Sequence, residues 1–377
     1  MAQSIDVLEL TRELIRLDTV NPPGGEERCA FFIAPILEDA GFDIRFHELA
    51  PGRSSLVAKL HGKTGREPIC FSGHMDTVPL GAVAWRRDPY GGEIDRGRIY
   101  GRGASDMKSG IAAIVAAAVN ASRHRERSGE LLLIFTAGEE SGCLGAAGLA
   151  NLPDPLPPAG LMIVAEPTSN SPVIGHKGAL WLSATTRGVT AHGSMPEKGV
   201  NAIYKAAQAV LKLQSYDFGL PPHPVLGSPT LNVGTIAGGM NINSVPDHAR
   251  MGIDLRTIPG LEHDALIESL GRFLGPEVEL ERTIDAHWLY TDPEDPRVGD
   301  VFSIAAAVTG EDFTPRSVPY FTDGPALKAL LGDPATLILG PGDPAAAHQT
   351  DEFCFVEKLE QATSIYEQII RKWWENR

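Results

Sequence analysis

Residues 68–79 read PICFSGHMDTVP, an apolar run that ends in His74, Met75 and Asp76. An extended segment sends residues two apart to the same side, so His74 and Asp76 can face one cavity together. A neutral imidazole binds a divalent cation through one nitrogen, while a carboxylate takes the proton of the other nitrogen and fixes the tautomer. By itself the pair reads more often as a hydrogen-bonded turn at a strand end. The metal reading needs partners from elsewhere in the chain.

With 377 residues, 43% of them hydrophobic, the chain can bury a large core, and its length predicts two domains. A formal charge of -15 argues against nucleic acid or an anionic membrane surface as partner, because both need a basic face. Cys29, Cys70, Cys143 and Cys354 lie far apart without paired spacing and read as reduced thiols of a cytoplasmic protein. The first 17 residues form an amphipathic pattern with scattered acids, unlike a signal sequence, and no run approaches the length of a membrane span.

Apolar spacing predicts helices over residues 5–17, 26–40, 111–122, 298–309 and 356–374. Strands are predicted over residues 43–48, 55–61, 69–73, 130–137, 161–165 and 335–339, with a hairpin or loop over 85–98. Three of these strands deliver acids or a histidine to their C-terminal ends, where open α/β sheets place their sites. They lead into His74, Glu139-Glu140 and Glu166. Adjacent residues point in different directions, so one glutamate can ligate a cation while its neighbour faces a water. Asp106 sits where the glycine-rich GRGASDMKSG (residues 101–110) enters a helix, a position that favours a carboxylate both as cap and by the helix dipole. Over residues 179–285 the order changes to βαββαβ, a ferredoxin-like module inserted into the larger domain.

GHMDTVP (73–79), GRGASDMK (101–108), TAGEES (136–141), AEPT (165–168) and AHQTDEF (347–353) occur in this order over nearly the whole chain. Together they resemble the M20 metallopeptidase and amidohydrolase family, in particular its acetylornithine deacetylase and succinyl-diaminopimelate desuccinylase branch. The resemblance implies an α/β, zinc-peptidase-like catalytic domain with a central mixed sheet (residues 1–176 and 289–377). An inserted lid and dimerisation domain would span residues 177–288. It also implies two divalent ions, zinc first, with cobalt or manganese acceptable to the same nitrogen and oxygen donors. His74, Asp106 and Glu166 would hold one ion and Asp106, Glu140 and His348 the other, with Asp106 bridging. Asp76 would orient His74, Glu139 would be the general base, and the peptide after Asp106 would be cis.

Further contacts follow from the same resemblance. His192, in GVTAHGS (188–194), would reach into the neighbouring subunit's site of a homodimer and stabilise the oxyanion. Asn243, in GMNINSVPD (239–247), and Arg256 would grip the substrate carboxylate, a task suited to the guanidinium fork. Thr322 lies in PYFTDGP (319–325), where bulky Tyr320 and Phe321 replace the small residues of the desuccinylase branch. The expected reaction is cleavage of the amide bond of an N-acyl-L-amino acid by a cation-activated water. A dipeptidase or carboxypeptidase of the same family is the alternative, with a dipeptide as substrate. A non-catalytic amino-acid-binding protein on this fold would have no use for Glu139. His61, His124, His248, His263 and His287 lack acidic partners at motif spacing and take no role. Trp373 and Trp374 read as packing, and Arg86-Arg87 is too short for an anion patch.

Overall fold

The structure, a computed structural model, describes residues 5–63, 66–124 and 127–375. Four neighbouring strands of one sheet are buried along their whole length: Ile69–His74, Leu131–Thr136, Leu161–Val164 and Ala335–Ile338. Their sequences do not alternate between apolar and polar because parallel strands of an α/β sheet are covered on both faces. They pair in parallel, and Arg53–Leu60 and then Asp43–Ala50 extend the sheet antiparallel at one edge. The result is a mixed six-stranded sheet within an α/β fold.

The helix Lys108–Ser122 packs against this sheet and against the C-terminal helix Val356–Glu375. It is buried on nearly every face, which its Ala-rich sequence permits by letting neighbouring backbones approach. The helix begins three residues earlier than the apolar spacing predicts, because Lys108 is itself buried and donates through Nζ to the Leu17 carbonyl at 2.6 Å. Asp106 is therefore not the cap. Met107 holds that position without a side-chain cap bond, and the peptide joining the two is cis.

Contacts divide the chain into two units. The first takes the chain up to Gly175, Tyr290–Arg316 and the residues from Thr322 on; the second takes His176–Leu289 and Ser317–Phe321. In the second unit Gly178–Arg187, Thr230–Gly238, His248–Thr257 and Val278–Ala286 form one antiparallel sheet, with His248–Thr257 and Gly178–Arg187 at its centre. His248–Thr257 alternates exposed and buried positions, so one face of the sheet carries a core. Leu180, Leu182, Met251, Ile253 and Leu255 pack there against Ala206, Leu213 and Leu270 of the helices Ala202–Leu213 and His263–Leu274. The element order is βαββαβ. All four cysteines are free and buried, and among the described residues no helix is long and apolar enough to cross a membrane.

Gly110 tests the tight packing of the central helix. A Cβ there would lie 2.4 Å from the Ala165 carbonyl oxygen. In an exposed helix Gly→Ala stabilises by roughly 1 kcal/mol; here overpacking reverses the sign. Gly110→Ala is expected to lose about 1–3 kcal/mol in chemical denaturation. Equal or greater stability would show that the backbones can separate freely.

Candidate metal centre

Parallel pairing aligns the ends of three strands. His74 lies opposite Thr136, three residues before Glu139, while Ser72 lies opposite Val164, two residues before Glu166. The side chains that leave this sheet edge therefore start from a common level. Asp106 arrives from the loop before the central helix, and His348 from a loop in which its own backbone is left-handed at φ 63°. None of these positions is adjacent in sequence to more than one other, so the fold assembles the site.

The Asp106 carboxylate is used from both sides. Oδ1 lies 3.1 Å from His74 Nε2, and Oδ2 lies 3.2 Å from His348 Nε2. Glu166 Oε2 stands 3.7 Å from His74 Nε2, and Glu140 Oε1 stands 3.0 Å from His348 Nε2. Two donor sets result, His74–Asp106–Glu166 and Asp106–Glu140–His348, each with its ligand atoms within 4.8 Å of one another. Glu139 and Glu140 also converge on His74 as a third such group.

Electrostatics shows what this cluster lacks. Burial lifts the Glu166 carboxyl to about 8, against the opposing pull of His74. Burial likewise raises Glu139 well above the ordinary carboxylate range, and Glu140 above it. Burial alone would push the His74 imidazole down, but Glu166, Asp106 and Asp76 outweigh it and hold it well above its usual value. Hydrogen bonds to Asp106 and Glu140 hold His348 at about 10. Carboxyls that keep protons and imidazoles that gain them mark a site short of positive charge. Divalent cations displace such protons, and imidazole nitrogen with carboxylate oxygen is a donor set that fits them.

Asp76 does more than the sequence predicts. His74 Nδ1 is 3.0 Å from the Asp76 carbonyl oxygen but 3.5 Å from its carboxylate. Beside that contact the carboxylate accepts from the backbone N–H of Glu139 at 3.0 Å, from that of Glu140 at 3.1 Å, and from Asn21 Nδ2 at 2.8 Å. It sets the turn that aims both glutamates. Glu26 supports the same turn: paired with Arg53, it accepts the Gly138 N–H at 3.1 Å. Cys143 Sγ sits 3.9 Å from Glu139 Oε1.

Sequence reasoning also gave no role to Arg102 and Glu352, a buried pair 2.5 Å apart. Glu352 Oε1 accepts the N–H groups of Ser105 and Asp106 at 2.8 and 2.9 Å. Arg102 donates to the carbonyls of Pro79 at 3.0 Å and Gln349 at 3.3 Å. The pair thus ties together the loops that follow His74, precede Asp106 and follow His348. The signal lay inside the quoted motifs, GRGASDMK and AHQTDEF, each of which carries two charged residues without an assigned role.

The other predicted residues divide between the units. In the second unit His192 and Asn243 lie on facing segments, with Gly193 N–H donating to the Asn243 carbonyl at 2.7 Å. Both side chains are exposed, and His192 Nδ1 is 2.7 Å from Ser194 Oγ. Arg256 pairs through Nε with Asp254, 3.0 Å away. Thr322, in the first unit, is buried, and its Oγ1 accepts the Gly324 N–H at 3.0 Å. Tyr320 and Phe321 belong to the second unit. Acidic partners do exist for His61, which faces Asp43 and Glu130, and for His263 and His287, which both face Asp285; His287 is two residues from its partner, whereas the fold brings the others together from distant segments. Arg86 and Arg87 are paired with Asp351, Glu93 and Asp95, and Trp373 packs with its Nε1 on the Glu67 carbonyl.

Glu352→Ala would leave the Arg102 guanidinium buried without its counter-ion, at an expected cost of about 3–5 kcal/mol. Metal content per folded chain should fall with it. Wild-type unfolding and wild-type metal content together would remove Glu352 from the support of the site.

Comparison with known proteins agrees with this geometry. The sequence model of peptidase family M20/M25/M40 matches residues 70–372. Acetylornithine deacetylase from Vibrio atlanticus (strain LGP32) is 30% identical, over 97% of this chain and 98% of its own. Acetylornithine deacetylase from Proteus mirabilis (strain HI4320) is 31% identical, over 96% and 95%. An M20 family metallo-carboxypeptidase from Sulfolobus solfataricus shares the fold with a TM-score of 0.80 at 18% identity, covering 98% of this chain and 99% of that one. The YXEP protein of Bacillus subtilis, described as a dinuclear metal binding peptidase of the M20 family, gives 0.72 at 16% identity and covers 98% of each. With a family match over most of its length, deacetylase-named relatives along nearly all of it and paired donor sets on the matching motifs, the chain belongs to peptidase family M20/M25/M40 and is a metal-dependent amidohydrolase.

Proposed function

We propose that this chain is a dinuclear zinc hydrolase that removes the acyl group from an N-acyl-L-amino acid, with acetylornithine and succinyl-diaminopimelate as the nearest substrate models. The observation that carries the reading is the two-sided use of Asp106, between His74 and His348, beside a buried Glu139. The names of the curated relatives support the deacetylase side of it. In this reading His74, Asp106 and Glu166 hold one zinc ion and Asp106, Glu140 and His348 the other. Bound there, the pair supplies Lewis acidity toward water and an amide carbonyl.

The chain's own residues do the rest. Glu139 takes the proton of the attacking water on a carboxylate oxygen and passes it to the departing nitrogen, leaving a carboxylate and an amine. Asp76 and Glu26 keep Glu139 aimed by holding the backbone on either side of it. Arg256 spends its Nε on Asp254, and among the described residues its Nη groups have no hydrogen-bond partner, so they stay available to a substrate carboxylate with Asn243 beside the same task. Thr322 would contribute a polar contact.

His192 belongs to the site of a second copy in this reading, making the enzyme a homodimer. Support comes from the second unit's surface, where Tyr204, Leu211, Ile236, Met240 and Ile242 are exposed, Met240 at 77% and Ile242 at 104%. Apolar side chains in such number mark an association surface. Four free, buried cysteines are in keeping with a cytoplasmic location.

Zinc-loaded protein is expected to hydrolyse N-acetyl- or N-succinyl-amino acids faster than dipeptides and to lose activity on chelation. Activity confined to dipeptides would replace this reading by the dipeptidase or carboxypeptidase alternative. Glu139→Ala should lower kcat by about 100- to 10,000-fold at nearly unchanged metal content, and an undiminished kcat would take the base role from Glu139. Mixing His192→Ala with Glu139→Ala protein should restore part of the activity through heterodimers. Proven subunit exchange without recovery would mean that each chain works with its own histidine.

A further inference from the structure

A second convergence of metal donors lies wholly within the second unit. It joins the first residue of the helix His263–Leu274 to the end of the strand Val278–Ala286. His263 Nδ1, Asp285 Oδ1 and a ring nitrogen of His287 all lie within 4.8 Å of one another. Nδ1 stands 2.5 Å from Asp285 Oδ1, and His287 Nε2 stands 3.7 Å from the same oxygen. The two imidazoles stack with centroids 4.3 Å apart and planes 9° from parallel, so a turn of the half-exposed His287 ring aims both nitrogens at one ion.

The partners behind these donors are also in place. Thr257 Oγ1 lies 2.8 Å from His263 Nε2 and fixes the ring from its far side, while Nδ1 donates a hydrogen bond to Asp285, a proton that a bound ion would displace. Arg282 holds the other oxygen of Asp285. A ligating histidine is ordinarily oriented through its far nitrogen, and a ligating carboxylate through its second oxygen. Arg282 also pairs with Asp264, so its charge is shared between two carboxylates and does not cancel Asp285 alone. His263 is buried, whereas the His287 side chain is 51% exposed, which gives an ion a way in from solvent.

We propose that His263, Asp285 and His287 form a mononuclear zinc site that shares no residue with the candidate metal centre. Two imidazole nitrogens and one carboxylate oxygen suit zinc, with the fourth position left to water. The bound ion clamps the helix start to the strand end and stabilises the folded state as its free concentration rises.

His287→Phe keeps a ring against His263 and removes the nitrogen. Wild-type and variant full-length protein, stripped with chelator, re-equilibrated with Zn2+ and freed of excess, are compared by elemental analysis. The variant is expected to hold one zinc per chain fewer, to keep wild-type hydrolytic activity, and to lose part of the zinc-dependent rise in unfolding temperature. His348→Ala gives an independent background: adding His287→Phe to it must again remove one zinc. Should His287→Phe not fold, His287→Ala takes its place in both comparisons. Equal zinc counts with and without the His287 substitution, in either background, overturn the proposal.

Discussion

One carboxylate facing two histidines sets the terms for the rest of the first unit. Asp106 presents one oxygen to each histidine, which requires a backbone fixed independently of its side chain. The buried Arg102–Glu352 pair supplies that independence by holding the Ser105 and Asp106 N–H groups on one side and two carbonyls from other loops on the opposite side. A buried ion pair is a poor source of net stability compared with apolar packing. Its use here is better understood as fixing the spacing of three loops through bonds that span as much as 250 residues.

The same logic runs through the acids that hold backbone N–H groups. Asp76 and Glu26 spend their oxygens on the N–H groups of residues 138–140, at a strand end where the ladder has stopped and backbone donors need partners. Gly138 is left-handed at φ 73°, so the chain turns sharply there and leaves three successive N–H groups pointing away from the sheet. Carboxylates satisfy those donors and in doing so fix the direction of Glu139 and Glu140. Acids in this site thus have two tasks, meeting the imidazoles and holding the peptide groups beneath them, and Asp76 takes part in both.

That division explains what was legible in the sequence. Fully buried strands such as Leu131–Thr136 announce themselves as apolar runs, and the acids at their ends stand out against them. The βαββαβ order of the second unit is readable for the same reason, because its strands and helices alternate with clear periods. What could not be read is any role defined by a contact across sequence. Glu352 sits in a motif beside His348, yet its partner is 250 residues away. The helix start at Lys108 was hidden because a lysine in the first turn looks exposed, while here its ammonium is buried on a carbonyl. His61 and His263 looked unpartnered because Asp43 and Asp285 lie 18 and 22 residues off.

The two units place different demands on their sequences. In the first, nearly every polar group of the site is buried and must be paired, so each substitution there disturbs several hydrogen bonds at once. In the second, His192 and Asn243 sit on exposed segments whose backbone bonds, Gly193 to Asn243 and Val245 to Ala191, fix the loops while leaving the side chains open. Beside them Met240 and Ile242 are also uncovered, which an isolated surface loop has no reason to maintain. Rigid backbone, open polar groups and uncovered apolar neighbours are what a loop needs when its function is completed by another surface. In the proposed reading that surface is a second copy of the chain, and the loop's apolar residues then anchor the contact while His192 and Asn243 are delivered to it.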